Sequence, residues 1–120
     1  PIVAGDLDAT PEASSIRFLT GLQSLHGRST HFVDAWKAAD NEGPGYTWAC
    51  ENDLVRQVAD RIVREKEHRR RLDYILLGGP LLYKGYARVE ECRVVLDQPR
   101  DGVWASGHYG VFAEIALGSQ

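Results

Sequence analysis

From residue 72 onward the chain reads as strands almost to its end, and this constrains its fold more than any other feature. Residues 72–77 are an apolar run closed by Gly78-Gly79-Pro80. Residues 88–96 alternate and are rich in valine, and after the turn residues 98–102 a last strand pattern runs over 109–117. The first part of the chain differs. Residues 1–4 are a short apolar strand pattern, followed by two helical ones. Thr10-Pro11 offers a cap and a first-turn proline, and Ile16, Leu19, Leu22 and Leu25 recur at helical spacing, which predicts a helix over 12–25 closed by His26-Gly27. Asn52 offers a cap to a second helix over 53–68, in which Leu54, Val58 and Ile62 lie beside Val55, Ala59 and Val63 to form one apolar stripe. Residues 32–36 read as one or two helical turns, 41–45 as a loop, and 46–48 as a brief aromatic strand.

One strand, two helices, then strands is the order of an α/β chain of the α+β kind. The expectation is a mixed, mostly antiparallel sheet with helices on one face. With 120 residues, 43% hydrophobic and 26% charged, the chain is expected to form a single globular domain over 1–120. The net charge of −3 disfavours a dedicated nucleic-acid binder. Two cysteines, Cys50 and Cys92, lack metal-site spacing and read as reduced thiols. No apolar run approaches the ~20 residues a membrane span needs, and no leader pattern is visible, so a cytoplasmic location with no membrane partner is expected. The chain has no methionine and begins at Pro1, which reads either as a start from which an initiator methionine is removed or as a piece of something longer, the second being the expectation. A tautomerase using the Pro1 amine as base fits Pro1-Ile2-Val3 only superficially.

Three short clusters could carry chemistry. Asp6 and Asp8 lie two apart at a strand end, where paired acids can hold a divalent cation or act on water; a polar turn after the strand is the plainer reading. Asp73 sits among apolar neighbours, where a carboxylate is costly unless paired. It could orient a histidine, or simply bridge to one of Arg69, Arg70 and Arg71. His108 falls just before the last strand, where a lone histidine can be structural or catalytic. The basic run over 61–71 is interleaved by Glu65 and Glu67 and reads as a solvated helix end, and Trp36, Trp48 and Trp104 read as core.

Taken in order, Gly5-Asp6-Leu7-Asp8, Arg71-Leu72-Asp73-Tyr74 and Ser106-Gly107-His108 resemble the later motifs of the endonuclease/exonuclease/phosphatase family: Gly-Asp-x-Asn, Arg-x-Asp-Tyr and Ser-Asp-His. Gly45-Tyr46-Thr47-Trp48 and Asp101-Gly102-Val103-Trp104 extend the resemblance along essentially the whole chain. It covers only the C-terminal half of such a domain. It implies half of a four-layer α/β sandwich, completed by self-association as a homodimer or by a separate N-terminal half. It implies a metal-dependent phosphoesterase acting on a phosphodiester or phosphomonoester with Mg2+ or Mn2+. In that reading Asp6, Asp73 and His108 are catalytic, Asp8 and His108 meet the substrate phosphate, and Asp6 and Asp8 serve the metal. Asp6 positions or deprotonates water, while Asp73 fixes the tautomer of His108 and favours its imidazolium.

The departures matter equally. Gly107 stands where the family has an aspartate, and Asp8 where it has an asparagine, whose amide can donate to phosphate while a carboxylate only accepts. The glutamate and asparagine of the family's first half do not precede Pro1. The expectation is therefore a chain impaired or inactive by itself, or else a non-catalytic binding or assembly module derived from that fold.

Overall fold

The structure, a computed structural model, describes residues 1–118. Its strands are β1 (Ile2–Asp6), β2 (Phe32–Asp34), β3 (Trp48–Ala49), β4 (Arg69–Arg70), β5 (Asp73–Gly78), β6 (Ala87–Val95) and β7 (Gly110–Leu117). The helices are α1 (Ser14–Leu19), α2 (Ala35–Ala38), α3 (Asp53–Val58), which runs on into a π-helical turn over Ala59–Val63, and α4 (Gly79–Tyr83). The α+β class is as expected, and every registered strand pair is antiparallel. The strands do not join in one sheet. They form a three-stranded sheet β1-β5-β2, a short β3-β4 pair and the long β6-β7 hairpin.

β5 is the centre, and its alternation explains why. Tyr74 and Leu76 point to one face, where they pack with Ile16, Leu19 and Phe32 beneath α1. Ile75 and Leu77 point to the other, where Ala35, Leu82, Val89, Cys92, Val111 and Ile115 cover them. The second cover is thus the β6-β7 hairpin together with α2, stacked on the sheet rather than paired with it. No helix among the described residues is long and apolar enough to cross a membrane.

Several elements end earlier than the apolar spacing suggests, each for a local reason. The first helix stops at Leu19, not at residue 25. Gly21 adopts φ +81°, its N–H bonds to Phe18 at 3.2 Å and the Leu22 N–H to Arg17 at 2.7 Å, a Schellman end. A side chain at Gly21 would also come within 2.7 Å of His31. Thr10 does not cap this helix; its carbonyl closes a turn with the Ala13 N–H, and Ala13 occupies the cap position. The second helix begins as expected on Asn52, whose side chain accepts from the Leu54 N–H at 2.9 Å. It then widens and stops at Arg64, in the left-handed region at φ +55°. Only Val55 and Ala59 of its stripe are buried, while Leu54, Val58 and Ile62 are 43%, 39% and 77% exposed. Residues 32–36 divide into the strand β2 and the start of α2, with Asp34 at the junction accepting from the Trp36 N–H at 3.1 Å. Gly78-Gly79-Pro80 ends the strand and also opens α4, because proline suits a first helical turn.

At that junction Asp34 also forms a buried ion pair. Its Oδ2 lies 2.7 Å from Arg71 Nη1, with the two side chains 5% and 6% exposed. The Arg71 guanidinium sits 4.9 Å over the ring of Tyr74, whose hydroxyl donates to the Ala9 carbonyl at 2.6 Å. Removing one partner strands a buried charge, at a cost of about 3–5 kcal/mol. Asp34→Ala should therefore lose about that much in urea unfolding, and the Asp34→Leu/Arg71→Met double variant should lose less than the two single variants summed.

Burial also sets an alkaline limit. It pushes the Cys92 thiol up to about 11 and the Tyr74 phenol above its ordinary range. The unfolded chain sheds the thiol proton near pH 9 while the folded chain retains it. Stability is unaffected by this group below about pH 9 and falls as pH rises toward 11. Urea midpoints at stepped pH should fall less steeply across that window in Cys92→Ala than in the parent; parallel curves would contradict the assignment.

Candidate functional site

Asp6 and Asp73 are directly opposite each other in the β1-β5 ladder. Two carboxylates in that relation repel, so something cationic or proton-donating is expected between them. His108, on the loop leading into β7, fills that role. Its Nδ1 lies 2.8 Å from Asp73 Oδ2 and its Nε2 3.9 Å from Asp6 Oδ2. The imidazole therefore lies in line between a half-buried carboxylate and an exposed one. With Asp73 accepting from Nδ1–H, the other ring nitrogen is turned toward Asp6.

Backbone hydrogen bonds from two buried polar side chains hold this line in place. The Thr47 hydroxyl accepts from the N–H groups of Leu72 and Asp73 at 3.0 and 3.3 Å, and the Thr47 carbonyl accepts from the Tyr109 N–H at 2.7 Å. One residue thus ties the segment carrying Asp73 to the segment carrying His108. Asn52, fully buried, uses its amide to donate to the Ser106 carbonyl at 2.7 Å while capping α3. On the other side, the Leu7 N–H bonds to the Leu72 carbonyl at 3.0 Å, which extends the pairing just past Asp6. The Trp48 ring meets His108 edge-on at 5.1 Å and backs the imidazole.

Asp8 stands apart from this line. Its N–H donates to Asp6 Oδ1 at 2.8 Å in a tight turn that puts Asp8 at φ +45°. The group of ligand atoms lying within 4.8 Å of one another comprises Asp6, Asp73 and His108, without Asp8. Asp8 instead lines an open cleft of about 470 Å3 together with Thr10, Trp48, His68, Arg70 and His108. Glu65 sits behind its cationic side, 3.1 Å from Arg70 and 3.2 Å from His68.

The donor chemistry limits which cation would suit. Asp73 and His108 are spent on each other, and imidazole is a poor ligand for a hard cation. What is left is carboxylate oxygen from Asp6, with Asp8 nearby on the cleft wall. That is the hard-oxygen kind of donor a divalent cation takes, offered by one or two carboxylates and open to solvent. It does not form a closed cage.

The sequence readings of Asp6, Asp73 and His108 thus come together in space, and the Asp73 carboxylate orients the histidine instead of bridging to Arg69, Arg70 or Arg71. Other contributors were read only partly. Thr47 registered as part of a strand and Asn52 as a cap, yet both are buried and join loops distant in sequence. By sequence Trp48 reads as core and His68 and Arg70 as a solvated helix end, whereas all three line the cleft. A polar residue flanked by aromatics, as in Tyr46-Thr47-Trp48, was the available signal for Thr47. Comparison of the chain with models of protein families, with curated proteins and with solved structures finds no match.

The role of Asp73 has a direct readout. In the parent, the neutral His108 ring should carry its proton on Nδ1, visible in imidazole 15N shifts. Asp73→Ala should move that proton largely to Nε2, and Thr47→Val should move it part of the way. Thr47→Val should also cost about 1–3 kcal/mol of stability, since it leaves buried N–H groups without an acceptor.

Proposed function

We propose that this chain is a phosphoesterase-type domain of the endonuclease/exonuclease/phosphatase kind, built to hold a phosphate ester at His108 and impaired in turnover when alone. The observation that carries this reading is the Asp73–His108–Asp6 line at the rim of a cleft bearing Arg70. A histidine fixed from behind by a carboxylate through Nδ1–H can, once its ring is doubly protonated, present Nε2–H to an oxygen of the bound phosphate and stabilise charge that develops there. Asp6, half exposed at the opposite end, is placed to hold a water and accept its proton. A magnesium or manganese ion at Asp6 and Asp8 would supply Lewis-acid polarisation of the phosphate.

Two positions weaken this machinery. Asp8 directs a carboxylate toward the space a phosphate would use, which repels an anion unless a cation intervenes. Gly107 withholds a carboxylate beside His108, although a side chain there would meet only the Trp48 ring, at 3.9 Å. These deficits favour a second reading as a non-catalytic binding or assembly module. So does β1, at the outer edge of its sheet with Ile2 57% exposed. A second copy of the chain, or a separate N-terminal half, would cover that edge.

The two readings separate by restoration. The parent chain should show no magnesium-dependent cleavage of bis(p-nitrophenyl) phosphate above background. The Asp8→Asn/Gly107→Asp double variant should gain turnover, lose it again on His108→Ala, and show a larger thermal shift with Mg2+ than the parent. A folded double variant with neither turnover nor metal-dependent stabilisation would overturn the phosphoesterase reading and leave the module.

A further inference from the structure

A second cleft, of about 570 Å3, adjoins the first and shares Thr10 and Arg70 with it. Its floor is the basic run of β4 and the residue after it, and its far wall is the loop over 41–46. Four cationic side chains line it, Lys37, Arg69, Arg70 and Arg71, against one carboxylate, Glu12. In a chain of net charge −3 that is a local reversal of sign. The arginines are already engaged: Arg69 by Glu51, Arg70 by Glu65 and Arg71 by Asp34. Among the described residues Lys37 has no ion-pair partner, so its charge is available to an incoming anion.

The wall is set before any ligand arrives. Trp36 Nε1–H donates to the Gly43 carbonyl at 2.9 Å, and Asn41 donates to the carbonyls of Trp36 and Cys92 at 3.2 and 2.8 Å. Gly45, at φ +65°, lets the loop lie against the indole; a side chain there would come within 2.7 Å of the ring. Tyr46 closes this side, 40% exposed. A loop pinned in this way loses little freedom on binding, and pinning of this kind favours a built site over an incidental hollow.

Resting on the phosphate-site reading above, we infer that the substrate is a small phosphate ester whose leaving group carries a second anionic group. The reacting phosphate lies at His108, Arg70 bridges the two clefts, and the distal anion lies against Lys37 with the connecting atoms along Trp36 and Tyr46. A long polynucleotide is the poorer fit, because among the described residues Lys37 alone of the cleft's cations lacks a carboxylate partner and the molecule as a whole is acidic.

The test is NMR titration of the 15N-labelled chain, in Mg2+, with alkanediol bisphosphates of graded length and with the matching alkyl monophosphates. One bisphosphate length should bind about tenfold or more tightly than its monophosphate, shifting the amides of both His108 and Lys37. Lys37→Ala should abolish that advantage and leave monophosphate affinity unchanged. Equal affinity for both ligands, an advantage that survives Lys37→Ala, or tighter binding of a single-stranded oligonucleotide than of any bisphosphate would overturn the two-anion inference, while the phosphate site itself survives if His108 still responds. Absence of any response at His108 to either ligand would overturn the phosphate-site reading, and this inference with it.

Discussion

The buried contact between Arg71 and Asp34 governs the middle of the molecule. Taking two charges out of water costs several kcal/mol per ion in effective terms, and the surroundings offset this in identifiable ways. Asp34 also caps α2, and Arg71 also lies over Tyr74, whose hydroxyl is bonded in turn to backbone carbonyls of Ala9 and Arg71. The pair therefore joins the start of α2, the start of β5 and the loop after β1. Those are the pieces that must stay in register if the sheet is to carry an acidic pair at its end and a basic cleft beside it. Arg71 lies two residues before Asp73. Whatever holds the guanidinium in place also limits how far that carboxylate can wander from His108.

The functional line draws on parts of the molecule that share no sheet. Asp6 and Asp73 belong to the three-stranded sheet, whereas His108 leads into a hairpin whose ladder bonds join only its own two strands. Side-chain packing alone could leave the hairpin free to slide by an ångström or so, and a displacement of that size breaks the 2.8 Å bond between His108 and Asp73. Thr47 and Asn52 remove that freedom with directional bonds, which are short-ranged and orientation-dependent in a way apolar contact is not. This accounts for Thr47 and Asn52 being fully buried polar side chains.

What could be read from the residues divides along the same physical boundary. The strands over 73–78, 87–95 and 110–117 were legible because apolar alternation is a local signal and tertiary contacts reinforce it. The meeting of Asp6, Asp73 and His108 was legible only through the ordered set of short motifs, since nothing local says that positions 6 and 108 are neighbours. Helix lengths were over-read. Leu22 and Leu25 continue the spacing of α1, but spacing carries no information about Gly21 turning left-handed against His31. The stripe of α3 failed in another way. Periodicity predicts that a face exists, not that something covers it, and Leu54, Val58 and Ile62 are left exposed. The basic run is solvated over 61–67, as its interleaved glutamates imply, but its end lines a cleft; ion pairing with Glu51 and Glu65 and a place on a cleft wall are compatible.

The chemistry of the acidic groups suggests which part of the site is stable by itself. Asp73 and His108 satisfy one another through the Nδ1 hydrogen bond, while Asp6 lies 3.9 Å from Nε2, beyond hydrogen-bond range, and stays largely solvated. The Asp73–His108 pair needs no ligand. A carboxylate committed to a cation is different, because without the cation it is one more negative charge beside existing ones. Gly107 places no such charge next to His108, and Asp8 lies outside the line on the cleft wall, its N–H bonded to Asp6. On the phosphoesterase reading proposed above, orientation of a phosphate would rest on the hydrogen-bonded Asp73–His108 pair, and turnover on the carboxylate that Gly107 does not supply and the amide that Asp8 does not supply.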